Sequence, residues 1–484
     1  MKKIKFDGKI LVIGCGGVAR CTLPLLLKHL EMPAGKITVI DFVDHKALVK
    51  NVVEQGVNYL VDKIDQKNLT AKLAQYVDVG DMILDLAWNI DCIEILEWCH
   101  ANQVMYLNTS VELWEPYKDI EKKHPTERTL YVRHMAIRER IKKWGQNNGA
   151  TAVLEHGANP GLVSHFVKVA LKDLAQKIIK ESAKGERKAE LEKYINEENF
   201  PKLAQLTGTK VIHISERDTQ IINRPKEVDE FVNTWSPEGL YEEGTSPAEM
   251  GWGTHEKTLP AKAFTHKSGP QNQICLGQMG IKTWVRSWVP YGEITGMVIR
   301  HGESFTLSDY LTVWENEKAV YRPTVHYAYC TPDYTINSIH ELEMRSFQMH
   351  ERQRVVNDEI ISGDDQLGVL LMGHDFNSWW TGSMLDIHET RKLVPGQNAT
   401  TLQVACSIIG AVTWMIKNPK KGVRIPDELP YEEILEVAKP YLGPFVSRAV
   451  DWTPIKNRRP FFENYGEEIP KADDVWQFNS FLVK

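Results

Sequence analysis

The segment Gly14-Cys15-Gly16-Gly17-Val18-Ala19 has the form G-x-G-x-x-A and follows the apolar run Lys9-Ile10-Leu11-Val12-Ile13. Residues 17–30 then continue with helical spacing. Two glycines permit a tight turn and a close approach of backbone to a pyrophosphate, and the small third residue lets helix pack on strand. Free N–H groups and the helix dipole draw the phosphates to the helix N-terminus. Gly14, Gly16, Gly17 and Val18 are therefore expected to hold a dinucleotide. Asp41 ends a second strand-like run 22 residues beyond Ala19, the place of the acid that binds ribose hydroxyls. Its charge repels a 2′-phosphate and no Arg follows it, so the pattern selects NAD over NADP.

A second constellation is acidic. Between Glu216 and Glu256 stand ten acids against Arg217, Arg224 and Lys226, interleaved with Phe231, Trp235, Tyr241 and Trp252. Carboxylates and ring faces both attract ammonium groups, so the segment suits a cationic ligand. Asp229 and Glu230 read as solvated members of it. Three further polar segments, Asp85–Asp91, Asn108–Glu112 and Glu155–Gly161, are expected at the carboxyl ends of strands, where such folds bind ligands. Asp91 serves equally well as a helix cap, and Asn159 before Pro160-Gly161 as a turn former. Among sixteen His, His301 and His255 are the candidates for proton chemistry. No G-x-S-x-G elbow, P-loop or HExxH is present.

The elements that must position these groups follow from periodicity. Over the first 150 residues strand-like and helix-like runs alternate, which implies a parallel sheet with helices on both faces. Beyond Val153 β-rich runs broken by Gly and Pro imply a second, α+β domain with an antiparallel or mixed sheet. After Pro395-Gly396 comes an apolar helix at 400–416, expected to return the chain to the first domain. The division is thus 1–155 for the NAD-binding Rossmann domain, 156–393 for substrate binding and dimerisation, and 394–484 for a helical segment on the first domain. A chain of 484 residues, 42% hydrophobic and 25% charged, needs no staple to bury a core. Its net charge of −6 argues against nucleic acid. Met1-Lys2-Lys3-Ile4-Lys5 does not begin a signal peptide, and Leu402–Ile416 is too short and too polar to span a bilayer. Seven Cys without a CxxC pair or a zinc spacing point to a cytoplasmic protein with no metal.

Taken jointly, several segments resemble the bacterial homospermidine synthases, within the saccharopine-dehydrogenase-like group. They are Ala87-Trp88-Asn89-Ile90-Asp91, Gly157-Ala158-Asn159-Pro160-Gly161, Glu216-Arg217-Asp218-Thr219-Gln220, Glu249 to Glu256, Asp365 to Leu371 and Pro395 to Thr400. The resemblance implies a redox-neutral use of NAD. Putrescine is oxidised to an imine that loses ammonia, a second putrescine (or spermidine as aminobutyl donor) enters, and the new imine is reduced. It places Asn89, Asp91, Glu112 and Asn159 around the reacting amine near the nicotinamide, with His301 in the surrounding shell. Glu216 and Glu243 would bind distal amines, Asp365 would lie in the surrounding shell, and Trp235 would offer a cation–π face. Ala87, Thr109 and Ala158 would lie along the cofactor, and the assembly would be a homodimer. One departure is Asp365-Gln366-Leu367-Gly368, where Asp-Glu-Leu-Gly is expected; Asp364 is then an alternative to Asp365. Two other readings compete: a carboxyspermidine- or saccharopine-type reductase, and a non-catalytic NAD-binding regulator.

Overall fold

The computed structural model describes residues 3–458, 460–466, 470–471 and 474–483. The alternating runs of the first half form a parallel sheet of seven strands. From one edge it runs Asn58–Val61, Ile37–Asp41, Ile10–Ile13, Met82–Asp85, Met105–Asn108, Ala152–Val153 and Val423–Arg424. The first six give the doubly wound order of a Rossmann domain, whose crevice opens beyond the carboxyl end of the first strand. Ile10 and Val12 enter the apolar core on one face, Leu11 and Ile13 that on the other. Burial on both sides is why this strand shows no polar alternation.

The second sheet is mixed and has ten strands. At its centre Val211–Asp218 pairs in parallel with Thr324–Cys330 and antiparallel with Asp364–His374, which continues to Asn377–Asp386. Helix Leu162–Glu181 packs over the last two strands. Ile212, Ile214, Leu367 and Val369 fill the core on that face. With a two-residue period, Glu216, Asp218 and Asp365 continue the same face toward the strand ends, so carboxylates occupy positions that elsewhere carry core side chains. The expected fold class, a Rossmann domain followed by an α+β domain, is the one observed.

The tail departs from expectation. Helix Ala399–Lys417 does pack on helix Gly17–His29, and Val423–Arg424 extends the parallel sheet. Phe445–Val450, however, pairs with Asn377–Asp386, and Leu482 bridges to Val285, so residues 394–484 are not one helical segment on the first domain. A strand at a sheet edge is partly exposed on both faces and carries no clear period, and the strong helix beside it dominates the reading. Ala399–Lys417 is also long and apolar enough to cross a membrane by length and composition, but 89% of that window is buried inside the protein. It is a core helix. All seven Cys are free, and among the described residues no cluster of His, Cys, Asp and Glu could hold a metal.

Candidate active site

A cavity of about 780 Å³ lies between the carboxyl ends of the parallel strands and the second sheet. Its first end is the glycine turn. Gly14 has φ +90°, and a β-carbon there would fall 2.9 Å from the Leu86 carbonyl oxygen. Around the Cβ position of Gly16 there is open space, and no side chain caps the helix that starts at Gly17. The first-turn N–H groups are thus left for a ligand anion. Asp41 Oδ2 accepts from the Cys15 N–H at 2.6 Å and Oδ1 from that of Val43 at 2.8 Å, so the carboxylate is locked beside the turn. Val18, Ala87, Thr109 and Ala158 line the same volume. These features fit a dinucleotide.

The other end is acidic, with Glu112, Glu216, Glu238, Glu242 and Glu243 on the wall beside Asn89, Asn159, Trp235, His301 and Tyr327. Glu216 Oε2 accepts from the Asn159 amide at 2.9 Å and from the Tyr327 hydroxyl. Burial, and then the charge of Asp218, push Glu216 up to about 7. Asp218 rises to about 6 through burial, although Gln220, Thr234 and Thr400 donate to it. Asp365 lies across from Asp218 in register and accepts from Thr400 Oγ1 at 2.6 Å. Its Oδ1 has no hydrogen-bond partner among the described residues, and burial together with Glu216 and Asp218 raises it well above the carboxylate range. Three carboxylates packed this way favour a cation brought by the ligand.

Glu112 accepts from Ser110 Oγ at 2.8 Å, and burial followed by the charge of Glu242 raises it. Burial would raise Glu242 too, but Arg300 and Arg133 (2.6 Å) outweigh it and hold that acid below its ordinary range. His301 Nε2 lies 3.0 Å from Glu243. Burial opposes charge on its ring, yet Glu303 and Glu243 prevail and raise it. Trp235 Nε1 donates to the Tyr329 hydroxyl at 2.9 Å, which fixes a ring that lines the cavity.

Not every expected group arrives there. Asp91 is not on the cavity wall. It caps helix Cys92–Asn102, accepting from the N–H groups of Ile93 (2.9 Å) and Glu94 (3.2 Å), and the capping reading replaces the one beside the reacting amine. Asp365 sits behind Glu216 and does not line the cavity. Asp364 and Gln366 belong to the opposite parity, where Asp364 accepts from Thr219 Oγ1 at 2.6 Å and Gln366 Oε1 from the Tyr291 N–H at 3.3 Å. The departure at Gln366 therefore falls away from the acidic face. His255 is bonded to the Trp476 carbonyl at 2.9 Å, outside the cavity. Glu230 is buried, not solvated: Arg354 at 2.7 Å overcomes the burial and holds it at about 2. Asp229 pairs with Arg345 at 2.8 Å. Of the four aromatics in the acidic segment, Trp235 alone lines the cavity; Phe231 is core, Tyr241 donates to the Phe347 carbonyl and Trp252 packs on Phe478. Tyr327, Glu242 and Asp218 were not singled out from sequence. Glu242 and Asp218 had local signals, the one next to Glu243 in the acidic run and the other two residues after Glu216 on the same strand; Tyr327 had none.

Two family models match the chain: the saccharopine dehydrogenase NADP binding domain over residues 10–153, and the saccharopine dehydrogenase C-terminal domain over residues 157–450. The chain belongs to the saccharopine dehydrogenase family. Within it, the homospermidine synthase of Mesorhizobium japonicum is 37% identical over 490 residues, covering 99% of this chain and 97% of that protein. That of Blastochloris viridis is 38% identical over 487 residues, covering 99% and 98%. The crystal structure of homospermidine synthase from Legionella pneumophila in complex with NAD superposes with a TM-score of 0.88 at 35% identity, covering 100% of this chain and 99% of that one. This chain is a member of the homospermidine synthase family.

Proposed function

We propose that this chain joins two putrescines into homospermidine with release of ammonia, or takes the aminobutyl group from spermidine with release of diaminopropane, and that it does so with NAD held at the glycine turn. The observation that carries the reading is one continuous cavity with Gly14, Gly16, Gly17 and Asp41 at one end and Glu112, Glu216, Glu243 and Trp235 at the other. Bound there, NAD supplies a hydride acceptor in the first half of the reaction and a donor in the second, so no net oxidation results. Asp41 favours NAD over NADP. A diamine arrives as a dication. Glu216, with Asp218 and Asp365 behind it, holds one ammonium, and Trp235 with Glu243 receives another. The amine that loses hydride must first be neutral, and Glu112, raised by burial beside Asn89, is placed to take its proton. Asn159 orients Glu216 against the reacting end. Residues 1–155 carry the cofactor and 156–393 the diamine, and the chain works as a homodimer through the second domain, in the cytoplasm.

A reductase acting on carboxylated substrates would need a cation at the acidic end. Among the described residues Lys63 is the one Lys or Arg on the wall, and it follows Asp62 at the nucleotide end, while Arg133 and Arg300 are engaged by Glu242. The test is turnover of putrescine deuterated at C1 with NAD and no other reductant. Homospermidine that keeps all four deuteriums, two from each putrescine, without NADH accumulating, is expected. Stoichiometric NADH release would make the protein an amine dehydrogenase. Tight NAD binding with no turnover would make it a regulator.

A further inference from the structure

The stretch Ile299-Arg300-His301-Gly302-Glu303 leads into helix Gly302–Tyr310, and its last residue has no place in the scheme above. Glu303 is 0% exposed and does not line the cavity. Its Oε1 lies 3.3 Å from His301 Nδ1, in ion-pair range but outside hydrogen-bond geometry, and neither its oxygens nor that Nδ1 has a hydrogen-bond partner among the described residues. On the far side of the same ring, Nε2 faces Glu243 at the cavity wall, 3.0 Å away. Two carboxylates flanking an imidazole favour the ring with an N–H on each nitrogen, and a neutral ring has only one N–H.

We propose that Glu303 is the positioning residue of His301: its carboxylate faces Nδ1–H as an ion-pair partner, keeps the ring a cation and aims Nε2–H at Glu243. The other charged groups nearby do not compete for this place. Arg300 is turned into Glu242, Glu155 beside Gly302 is paired with His134 at 2.8 Å, and Glu216 lies beyond the Tyr327 ring, which sits 4.4 Å from the imidazole. The raised basicity of His301 through Glu303 and Glu243 agrees with this arrangement. The consequence for catalysis rests on the reading above. Two diammonium ions enter, and one triammonium ion and ammonium leave, so over the cycle as many protons are returned as are taken from the reacting amines. A histidine held as a cation at the wall is a fixed donor for that return.

The test uses full-length protein with bound NAD and 15N-labelled histidine, the His301 signals being assigned by their loss in His301→Asn. Wild type is expected to show both ring nitrogens protonated from about pH 6 to 9. In Glu303→Gln the ring should deprotonate within that range, and the alkaline limb of kcat for homospermidine formation should move at least about one unit to lower pH, a tenfold change in proton concentration. Glu303→Asp should restore part of the shift, and serves if the Gln variant does not fold. A buried acid that merely fills space would lower melting temperature and kcat at every pH and leave the His301 titration unchanged. That result overturns the proposal. If no homospermidine forms, the ring titration still decides it, so its failure is distinct from failure of the functional reading.

Discussion

Replacing Glu216 by Gln preserves the side-chain volume and an acceptor oxygen for the Asn159 amide and the Tyr327 hydroxyl, while deleting one buried charge. In the fold this carboxyl is pushed from its ordinary 4.5 up to about 7, burial being the main cause. Between those values the folded protein holds a proton that the unfolded chain has released. The stability tied to Glu216 is therefore fully present below pH 4.5 and is lost as pH rises through 7. A gap of about 2.5 pH units corresponds to about 3 kcal/mol of destabilisation carried by wild type at pH 8 in the absence of a diamine. Glu216→Gln should match wild type near pH 5, exceed it by about 3 kcal/mol near pH 8, and lose diamine turnover. Urea denaturation of the ligand-free proteins at both pH values measures the first two effects. Putrescine should close the gap at pH 8, because its ammonium stabilises only the carboxylate form. A Gln variant less stable than wild type at pH 8, or a gap equal at both pH values, would refute the reasoning.

At the glycine turn, Gly16→Ala should melt like wild type because its methyl meets open space, yet weaken NAD binding at least tenfold by occupying the path of the pyrophosphate; a lower melting temperature would contradict this. Gly14→Ala, with φ +90° and the Leu86 carbonyl 2.9 Å away, should instead destabilise the fold by about 1–3 kcal/mol, read in the same melting experiment. Asp41→Ala should narrow the preference for NAD in equilibrium binding, and wild-type protein that binds NADP equally well would remove the role assigned to Asp41. At Trp235, Phe should retain part of the activity and Ala lose most of it, since a cation over the ring is worth about 0.5–2 kcal/mol. Melting temperatures taken alongside distinguish this from lost packing, and full activity in a folded Trp235→Ala protein ends the assignment.

The nucleotide end was legible because its signals are local: a glycine spacing, the strand before it, the helix after it and one acid at the next strand end. Trp235 was legible for a related reason, standing between strand Glu230–Asn233 and helix Pro237–Thr245. Asp91 was ambiguous, because an acid before a helix looks the same whether it caps or binds. Glu230 was misread because its partner Arg354 lies 124 residues further along the chain. Tyr327 reaches Glu216 across 111 residues, and Asp365 meets Asp218 through strand register. Such pairings arise from how strands align, and no window of the sequence contains them.

Both sheets are completed by residues near the C-terminal end of the chain. Val423–Arg424 closes one edge of the parallel sheet, and Phe445–Val450 borders the mixed one. Between the sheets Thr400 reaches Asp218 and Asp365, while Thr401 lies 3.4 Å from where a side chain on Gly17 would begin. On the ribosome, then, neither half can finish folding until residues 399–450 have emerged, and the acidic face waits for its hydroxyl donor until Thr400 is made. A gene cut at residue 155 would leave the first fragment without its edge strand and without helix Ala399–Lys417, and the second with that helix uncovered where it packs on Gly17–His29, while a stop codon before residue 399 would damage both ligand ends at once. The two halves are distinct in architecture, but as products of synthesis they are a single unit.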